Sequence, residues 1–172
     1  MIVVDYKNKK NNTAQLKHEY AILLNRLAAL CSRSEKCEYD AMEYMLSHGA
    51  SEDDAASAVE YLTANHFIDN ARYAYAFAAD KSRFAKWGAH KIAAALRLKR
   101  IPASIIADAL DNAVDPKREK QTALDEMAKK LRGIKADEPK QKLWQKLMRF
   151  GVARGYSVDI CKEAISSLLA DV

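Results

Sequence analysis

Three short segments of this 172-residue chain repeat one pattern at intervals of 51 and 55 residues. Residues 49–51 read GAS, residues 100–102 read RIP and residues 155–157 read GYS, and each is followed at the same distance by an apolar pair, at 58–59, 109–110 and 164–165. A period of this length is typical of proteins built from repeated helical modules. The spacing therefore predicts three copies of one structural unit.

Within each copy, apolar residues recur three and four positions apart, the period of an amphipathic helix. Strand-like sequence is confined to "MIVV" at the start, and Gly 5 and Pro 3 are few enough for long helices with short connections. Ser51 and Ser157 are expected to cap helix starts, Gly49 to end a helix, and Pro102, Pro116 and Pro139 to stand near helix starts. We predict an all-α fold of three tandem three-helix repeats that form an elongated, curved molecule. The expected segments are a flexible N-terminal tail at 1–12 and three-helix repeats at 13–66, 67–112 and 113–172.

The sequence offers little for catalysis or for binding a metal or cofactor. Four histidines are scattered over separate segments, and no phosphate-binding or nucleophile motif is present. Cys31, Cys37 and Cys161 lack metal-ligand spacing and are expected to be packing residues in a reducing compartment. We expect no enzyme, no metal and no cofactor. Since no apolar run reaches membrane length and the start has no signal-peptide core, a soluble cytoplasmic protein without membrane contact is expected.

Charge is distributed unevenly along the chain, whose net charge is +5. Residues 38–60 hold seven acidic residues and no Lys or Arg, residues 69–100 hold eight basic against two acidic, and residues 129–156 hold nine basic against two acidic. Such polarity would orient the protein on a charged, extended partner. Solvation of helix faces is the other explanation for each charge run.

Two phrases of the sequence resemble the RecX family, regulatory proteins of the bacterial recombinase RecA. The family phrase G-[YF]-[IL]-D-[DE]-x-R-[YF]-A, which leads into a basic segment, a Gly and a helix, is matched at Phe67, Ile68, Asp69, Asn70, Arg72, Tyr73 and Ala74, then Lys81, Arg83, Gly88, Lys91, Ile92 and Leu96. His66 stands where the family usually has Gly, and Asn70 where it usually has an acid. The phrase R-G-[FY]-x(4)-[IV] of the last repeat is matched at Arg154, Gly155, Tyr156 and Ile160. The likeness covers roughly residues 20 to 170.

The resemblance implies a non-enzymatic modulator that binds the RecA filament on single-stranded DNA. Family members block growth of the filament or promote its disassembly, and so restrain strand exchange, ATP hydrolysis and the co-protease activity of the DNA-damage response. A chain of three modules suits this task because it can contact several successive subunits at once.

The candidate contacts with the filament are bases expected on polar helix faces. They are Arg72, Lys81, Arg83, Lys86, Lys91, Arg97, Lys99, Arg100, Lys146, Arg149 and Arg154. Asp69 and Arg72 lie three residues apart near a helix start, so a cap or an intrahelical pair explains them about as well as a partner contact. Trp87 could stack on a base or anchor an interface, although packing between helices is favoured. The residues expected in the core are Phe67, Ile68, Tyr73, Ile92, Leu96, Ile105 and Leu110.

Two further functions stay open at this point. One is a DNA-binding helical module without sequence preference, whose affinity for DNA would be weak and steeply salt-dependent. The other is a helical scaffold for a different partner. A monomer is expected in each case.

Overall fold

The computed structural model describes residues 6–135 and 137–170, with side chains from residue 18 onward. In these residues it contains nine α-helices and no strand. The all-α prediction is confirmed. The helices are α1 Tyr6–Cys31, α2 Glu38–Ser47, α3 Glu52–Ala64, α4 Asn70–Arg83, α5 Ala89–Leu98, α6 Ala103–Ala113, α7 Pro116–Arg132, α8 Lys140–Arg154 and α9 Val158–Leu168.

Helix α1 begins at Tyr6, within the segment 1–12 that was predicted as a tail. Residues 1–5 of that tail lie outside the described residues. Extending a helix that has already formed adds one hydrogen bond for each residue fixed, so polar residues ahead of the apolar stripe can join it.

The chain divides into two compact units, the first of which ends at Tyr73. Helices α1, α2 and α3 enclose a core in which Leu27, Met45, Leu62 and Ile68 are almost completely buried. Phe67 is half-buried and packs against the same core. The predicted amphipathic stripes of these three helices therefore face one another.

The second unit runs from Ala74 and contains α5 to α9. Met127, Leu147 and Ile165 form the centre of the core of α7, α8 and α9. Ile92 and Leu96 of α5 are also completely buried. Among the other predicted core residues, Ile68 and Tyr73 of the first unit are buried, whereas Ile105 and Leu110 are half-buried. The three cysteines, Cys31, Cys37 and Cys161, are buried and unbridged.

The three repeated segments form the same helix end. Gly49, Arg100 and Gly155 all have left-handed backbones, with φ of 88°, 58° and 91°. At each, the next residue donates a backbone hydrogen bond to the carbonyl five positions earlier, as in a Schellman motif: Ala50 to Met45 (3.1 Å), Ile101 to Leu96 (3.2 Å) and Tyr156 to Gly151 (3.1 Å). Ser51 and Ser157 then cap α3 and α9, as predicted. The equivalent positions of the three repeats thus share a backbone conformation as well as a sequence pattern.

His66 forms a fourth turn of this kind at the end of α3. Its φ is 60°, and Phe67 N–H donates to the Leu62 carbonyl over 2.8 Å. A residue with a Cβ costs about 1–2 kcal/mol in this backbone region. The turn geometry that a glycine would adopt freely is therefore kept here by a histidine.

A head-to-tail contact between two helices holds the second unit together. The first N–H groups of α5, which have no partner within their own helix, donate to groups from α7 and α8. Gly88 donates to the Arg154 carbonyl (2.9 Å), His90 to the Gly155 carbonyl (3.1 Å) and Ala89 to Glu119 Oε1 (2.8 Å). We call these three hydrogen bonds the clasp. The positive end of one helix dipole here meets the negative end of another.

The clasp requires glycine on both sides. A Cβ at Gly88 would overlap the Gly155 carbonyl, and a Cβ at Gly155 would overlap the Lys91 Cβ and backbone. At Gly49, by contrast, no described atom lies within 4 Å of an added Cβ. Gly49 and Gly155 thus share a backbone conformation but differ in the space around them.

This difference predicts unequal effects for the same substitution. Gly49→Ala should lower the free energy of unfolding by about 1–2 kcal/mol, because only the left-handed backbone is strained. Gly155→Ala should cost clearly more, since the clasp must also open. Urea denaturation followed by helical circular dichroism measures both variants, and equal losses would contradict the clasp.

Candidate partner-binding surface

The two units differ in charge, and ten of the eleven candidate residues belong to the second. Residues 74–172 contain 20 Lys and Arg against 12 Asp and Glu, a net charge of +8, whereas residues 1–73 contain 8 against 11, a net charge of −3. The candidate residues of the second unit differ in the contacts that their side chains make and in their exposure.

Arg72, the candidate residue in the first unit, is tied into that unit. Its Nε donates to Glu35 Oε1 over 2.7 Å, and its Nη2 lies 3.3 Å from the carbonyls of His66 and Phe67. Asp69 caps α4 by accepting from the N–H groups of Ala71 and Arg72, and these hydrogen bonds lower the pKa of Asp69. The helix cap, one of the explanations given for Asp69, is confirmed. Arg72 does not pair with Asp69 through its side chain but with Glu35, a partner too far away in sequence to be recognised from spacing.

Two candidate lysines lie over the ring of Trp87. Lys81 Nζ is 5.2 Å and Lys91 Nζ 4.6 Å from a ring centroid of that side chain, and Phe77 meets it edge-on at 6.4 Å. Such cation–π contacts are worth about 0.5–1 kcal/mol each at exposed sites. Trp87 is half-buried and packs within this group. Lys91 also donates to the Ala153 carbonyl at 3.4 Å, next to the clasp.

Side chains of the third repeat form hydrogen bonds to the turn between α4 and α5. Arg154 Nη1 donates to the Ala85 carbonyl over 3.1 Å, and the Tyr156 hydroxyl donates to the Lys86 carbonyl over 2.7 Å. Lys86 itself has φ of 57°, and its Nζ donates to the Arg83 carbonyl over 2.7 Å. Burial raises the pKa of Tyr156 to about 12, so its hydroxyl is a proton donor at neutral pH.

Arg154 and Lys146 also form ion pairs within the second unit. Arg154 Nη2 lies 3.5 Å from Glu126 Oε2, and its guanidinium stacks over Phe150 at 5.4 Å. Lys146 pairs with Glu138 at 2.7 Å and lowers the pKa of that carboxyl. These two candidates therefore support the fold in addition to any contact with a partner.

Most of the remaining candidates have exposed side chains. Arg83, Arg97, Arg100 and Arg149 are exposed, and Lys99 is half-buried. Two apolar residues accompany them: Phe84 is 80% and Leu98 79% exposed. Neither residue is among the contacts predicted from the sequence. Phe84 lies seven residues after Phe77, a spacing typical of one helix face, and it directly follows Arg83, the last residue of α4.

The second unit also has a small cavity beside this turn. Its volume is about 110 Å³, and its lining includes Arg83, Trp87, Arg118 and Tyr156. Pockets for small molecules usually measure about 300–1,000 Å³. In the part of the chain that the structure describes, no three His, Cys, Asp or Glu side chains are grouped to hold a metal ion. None of the helices described is long and apolar enough to cross a membrane.

Known proteins of one family match this chain in sequence and in fold. The family models for the second and third three-helix domains of RecX match residues 69–110 and 118–165. Regulatory protein RecX of Clostridium tetani (strain Massachusetts / E88) is 32% identical over 168 residues, which cover 96% of this chain and 75% of the relative. Regulatory protein RecX of Clostridium botulinum (strain Eklund 17B / Type B) is 30% identical over 157 residues, covering 90% and 73%. The chain belongs to the RecX family.

Solved RecX structures have the same fold. A crystal structure of regulatory protein RecX superposes with a TM-score of 0.76 at 20% identity, covering 100% of this chain and 81% of that one. The crystal structure of RecX from Lactobacillus salivarius gives 0.74 at 19% identity, covering 88% and 97%. The three-helix repeat organisation is thereby confirmed, and the family is one of regulatory proteins.

The RecX phrase of the last repeat falls on the clasp and the turn beside it. The Arg154 carbonyl accepts a hydrogen bond from Gly88, and the Arg154 guanidinium donates to the Ala85 carbonyl. Gly155 has the left-handed backbone, and the Tyr156 hydroxyl donates to the Lys86 carbonyl. These residues of the phrase therefore join the second three-helix domain of RecX to the third.

Removing the Tyr156 hydroxyl should weaken this junction. Tyr156→Phe leaves the Lys86 carbonyl without its donor, and we expect a loss of about 1–2 kcal/mol in the free energy of unfolding. Because the pKa of Tyr156 is raised above the ordinary value of 10.0, the loss should be constant below about pH 10 and shrink towards pH 12. Urea denaturation across this range measures it. Tyr61→Phe, at a residue that is 52% exposed, is the control, and equal effects of the two changes would contradict the assignment.

Proposed function

We propose that this member of the RecX family binds the RecA filament on single-stranded DNA and restrains its growth, ATP hydrolysis, strand exchange and co-protease activity. The observation that carries the proposal is the second unit, in which a net charge of +8 lies on two three-helix domains joined by the clasp. Membership of a family of regulatory proteins supports the same conclusion.

A rigid junction gives the two domains a definite advantage in binding a filament. When two binding modules are held at a fixed separation, the second contact forms within the complex, and its effective concentration is high only if the separation fits the partner. The clasp fixes that separation before binding, so no ordering cost arises on association. A filament repeats its subunits regularly and can offer two sites at such a distance. A protein that bridges neighbouring subunits would oppose the rearrangements needed for growth and for ATP turnover.

Positive charge would guide the protein to the filament rather than read a DNA sequence. Complementary charge increases the rate of association and fixes the orientation of the partners. Direct contact with DNA would be a weak, salt-dependent addition, made through phosphates. In this proposal the protein acts as a monomer in the cytoplasm, where it meets RecA.

The central test is a titration of the protein against RecA assembled on single-stranded DNA, with ATP hydrolysis as the readout. Inhibition at less than one molecule per RecA is expected, because one molecule would block the exchange of several subunits. ATP hydrolysis that stays unchanged at every ratio would overturn the proposal. Titration against the bare DNA, followed by fluorescence anisotropy, separates this function from that of a DNA-binding module.

Charge reversal at two exposed arginines, one from each domain, tests the candidate contact residues. Arg97→Glu with Arg149→Glu changes one residue of α5 and one of α8. We expect the concentration for half-inhibition to rise at least about tenfold, because like charges would face an acidic surface. The control is Lys117→Glu with Lys162→Glu, which makes the same charge change at exposed residues outside the candidate set. Equal effects of the two pairs would mean that only net charge matters and would remove Arg97 and Arg149 from the site.

A further inference from the structure

Phe84 is exposed to an unusual degree for a phenylalanine in this protein. Its side chain is 80% exposed, whereas Phe67, Phe77 and Phe150 are half-buried. A single exposed apolar residue is ordinary on a protein surface and indicates nothing by itself. The surroundings of Phe84 are what distinguish it.

The backbone that carries Phe84 is held in one conformation. Phe84 N–H makes the last hydrogen bond of α4, to the Asp80 carbonyl at 2.9 Å, and Trp87 N–H closes the turn on the Lys81 carbonyl at 3.0 Å. The two carbonyls between them, of Ala85 and Lys86, are bound by Arg154 and Tyr156. An aromatic side chain on such a turn loses little backbone freedom when it binds a partner.

The turn also contains backbone strain. Lys86 has φ of 57°, which costs about 1–2 kcal/mol for a residue with a Cβ. Strain of this kind persists only where neighbouring contacts impose it, and it occurs preferentially at functional sites. Here the strained residue lies two positions after the exposed Phe84 and is itself half-buried.

A protein pocket fits this surface better than a nucleic acid does. Proteins that bind single strands offer several aromatic rings on which successive bases stack. The nearest aromatic neighbour in sequence, Trp87, is half-buried and has the ammonium groups of Lys81 and Lys91 over its ring. A second base would have to displace these lysines. An exposed aromatic beside an exposed arginine, with no second freely exposed ring next to it in the turn, instead matches an apolar pocket with acidic residues at its edge.

We propose that Phe84 is the hydrophobic anchor of the partner-binding surface and inserts into an apolar pocket with an acidic rim on a subunit of the filament. Arg83, next to it, pairs with the rim. This inference rests on the proposed function, because it takes the filament as the partner. It adds the residue that supplies most of the binding energy, since a few buried aromatic and arginine residues usually dominate an interface.

The test compares three variants at exposed positions. Phe84→Ala removes the anchor, Phe84→Leu keeps an apolar group without an aromatic face, and Val158→Ala changes an apolar residue that is 51% exposed elsewhere in the unit. Binding to the RecA filament and to bare single-stranded DNA is measured by fluorescence anisotropy. Circular dichroism verifies the fold, which exposed substitutions should preserve.

For the filament, Phe84→Ala should weaken binding about 30-fold, as expected of a dominant interface residue. Phe84→Leu should stay within about threefold of the unchanged protein, because a pocket accepts an apolar group of similar size. Val158→Ala should have no effect beyond about twofold, since Val158 lies outside the candidate contact residues. Affinity for bare DNA should be the same for all variants.

Each contrary result has a distinct meaning. If the unchanged protein binds the filament and Phe84→Ala binds it equally well, the anchor is wrong and the proposed function stands. If Phe84→Leu is as weak as Phe84→Ala and affinity for bare DNA falls with it, Phe84 stacks on a base and the protein pocket is wrong. If the unchanged protein does not bind the filament, the proposed function fails, and the anchor fails with it.

Discussion

The head-to-tail contact between α5 and α8 is the interaction on which the second unit depends. The start of any helix leaves N–H groups without partners, and the end leaves carbonyls without partners. Here Gly88 and His90 donate to the carbonyls of Arg154 and Gly155, and Glu119 accepts from Ala89. One contact thus satisfies two sets of groups that would otherwise need water. It also fixes the geometry between two repeated domains, which apolar packing alone would allow to vary.

The turn that ends α8 has a second role, because it also forms part of the clasp. In the first repeat, the left-handed turn at Gly49 ends α2 and leaves open space around it among the described atoms. In the third repeat, the equivalent turn at Gly155 ends α8, and Lys91 of α5 occupies the corresponding space. The same backbone motif therefore terminates a helix in one repeat and joins two domains in another. Glycine is convenient at Gly49 because of its backbone freedom, but Gly155 also needs the absence of a side chain.

The sequence predicted most of the fold because its strongest signals are local. Helix period, caps such as Ser51 and Ser157, and the spacing of the repeated helix ends depend on neighbours a few residues away. The site was predicted less completely because side-chain partners lie far apart in the chain. Arg154 was selected as a polar-face base, yet it contacts Ala85, 69 residues earlier. Phe84 could not be recognised, because its spacing from Phe77 would place both on one helix face, and Phe77 is half-buried.

The clasp and the turn that carries Phe84 are held by the same short segment. The carbonyls of Arg154 and Gly155 accept hydrogen bonds from Gly88 and His90 at the start of α5. The side chains of Arg154 and Tyr156 donate to the carbonyls of Ala85 and Lys86. Two hydrogen bonds from the third domain thus help to hold Lys86 in its strained conformation. A partner that binds the strained turn would in return stabilise the junction, since binding to one of two coupled states favours that state. The junction of the two domains and the conformation of the turn that carries Phe84 therefore depend on one set of hydrogen bonds.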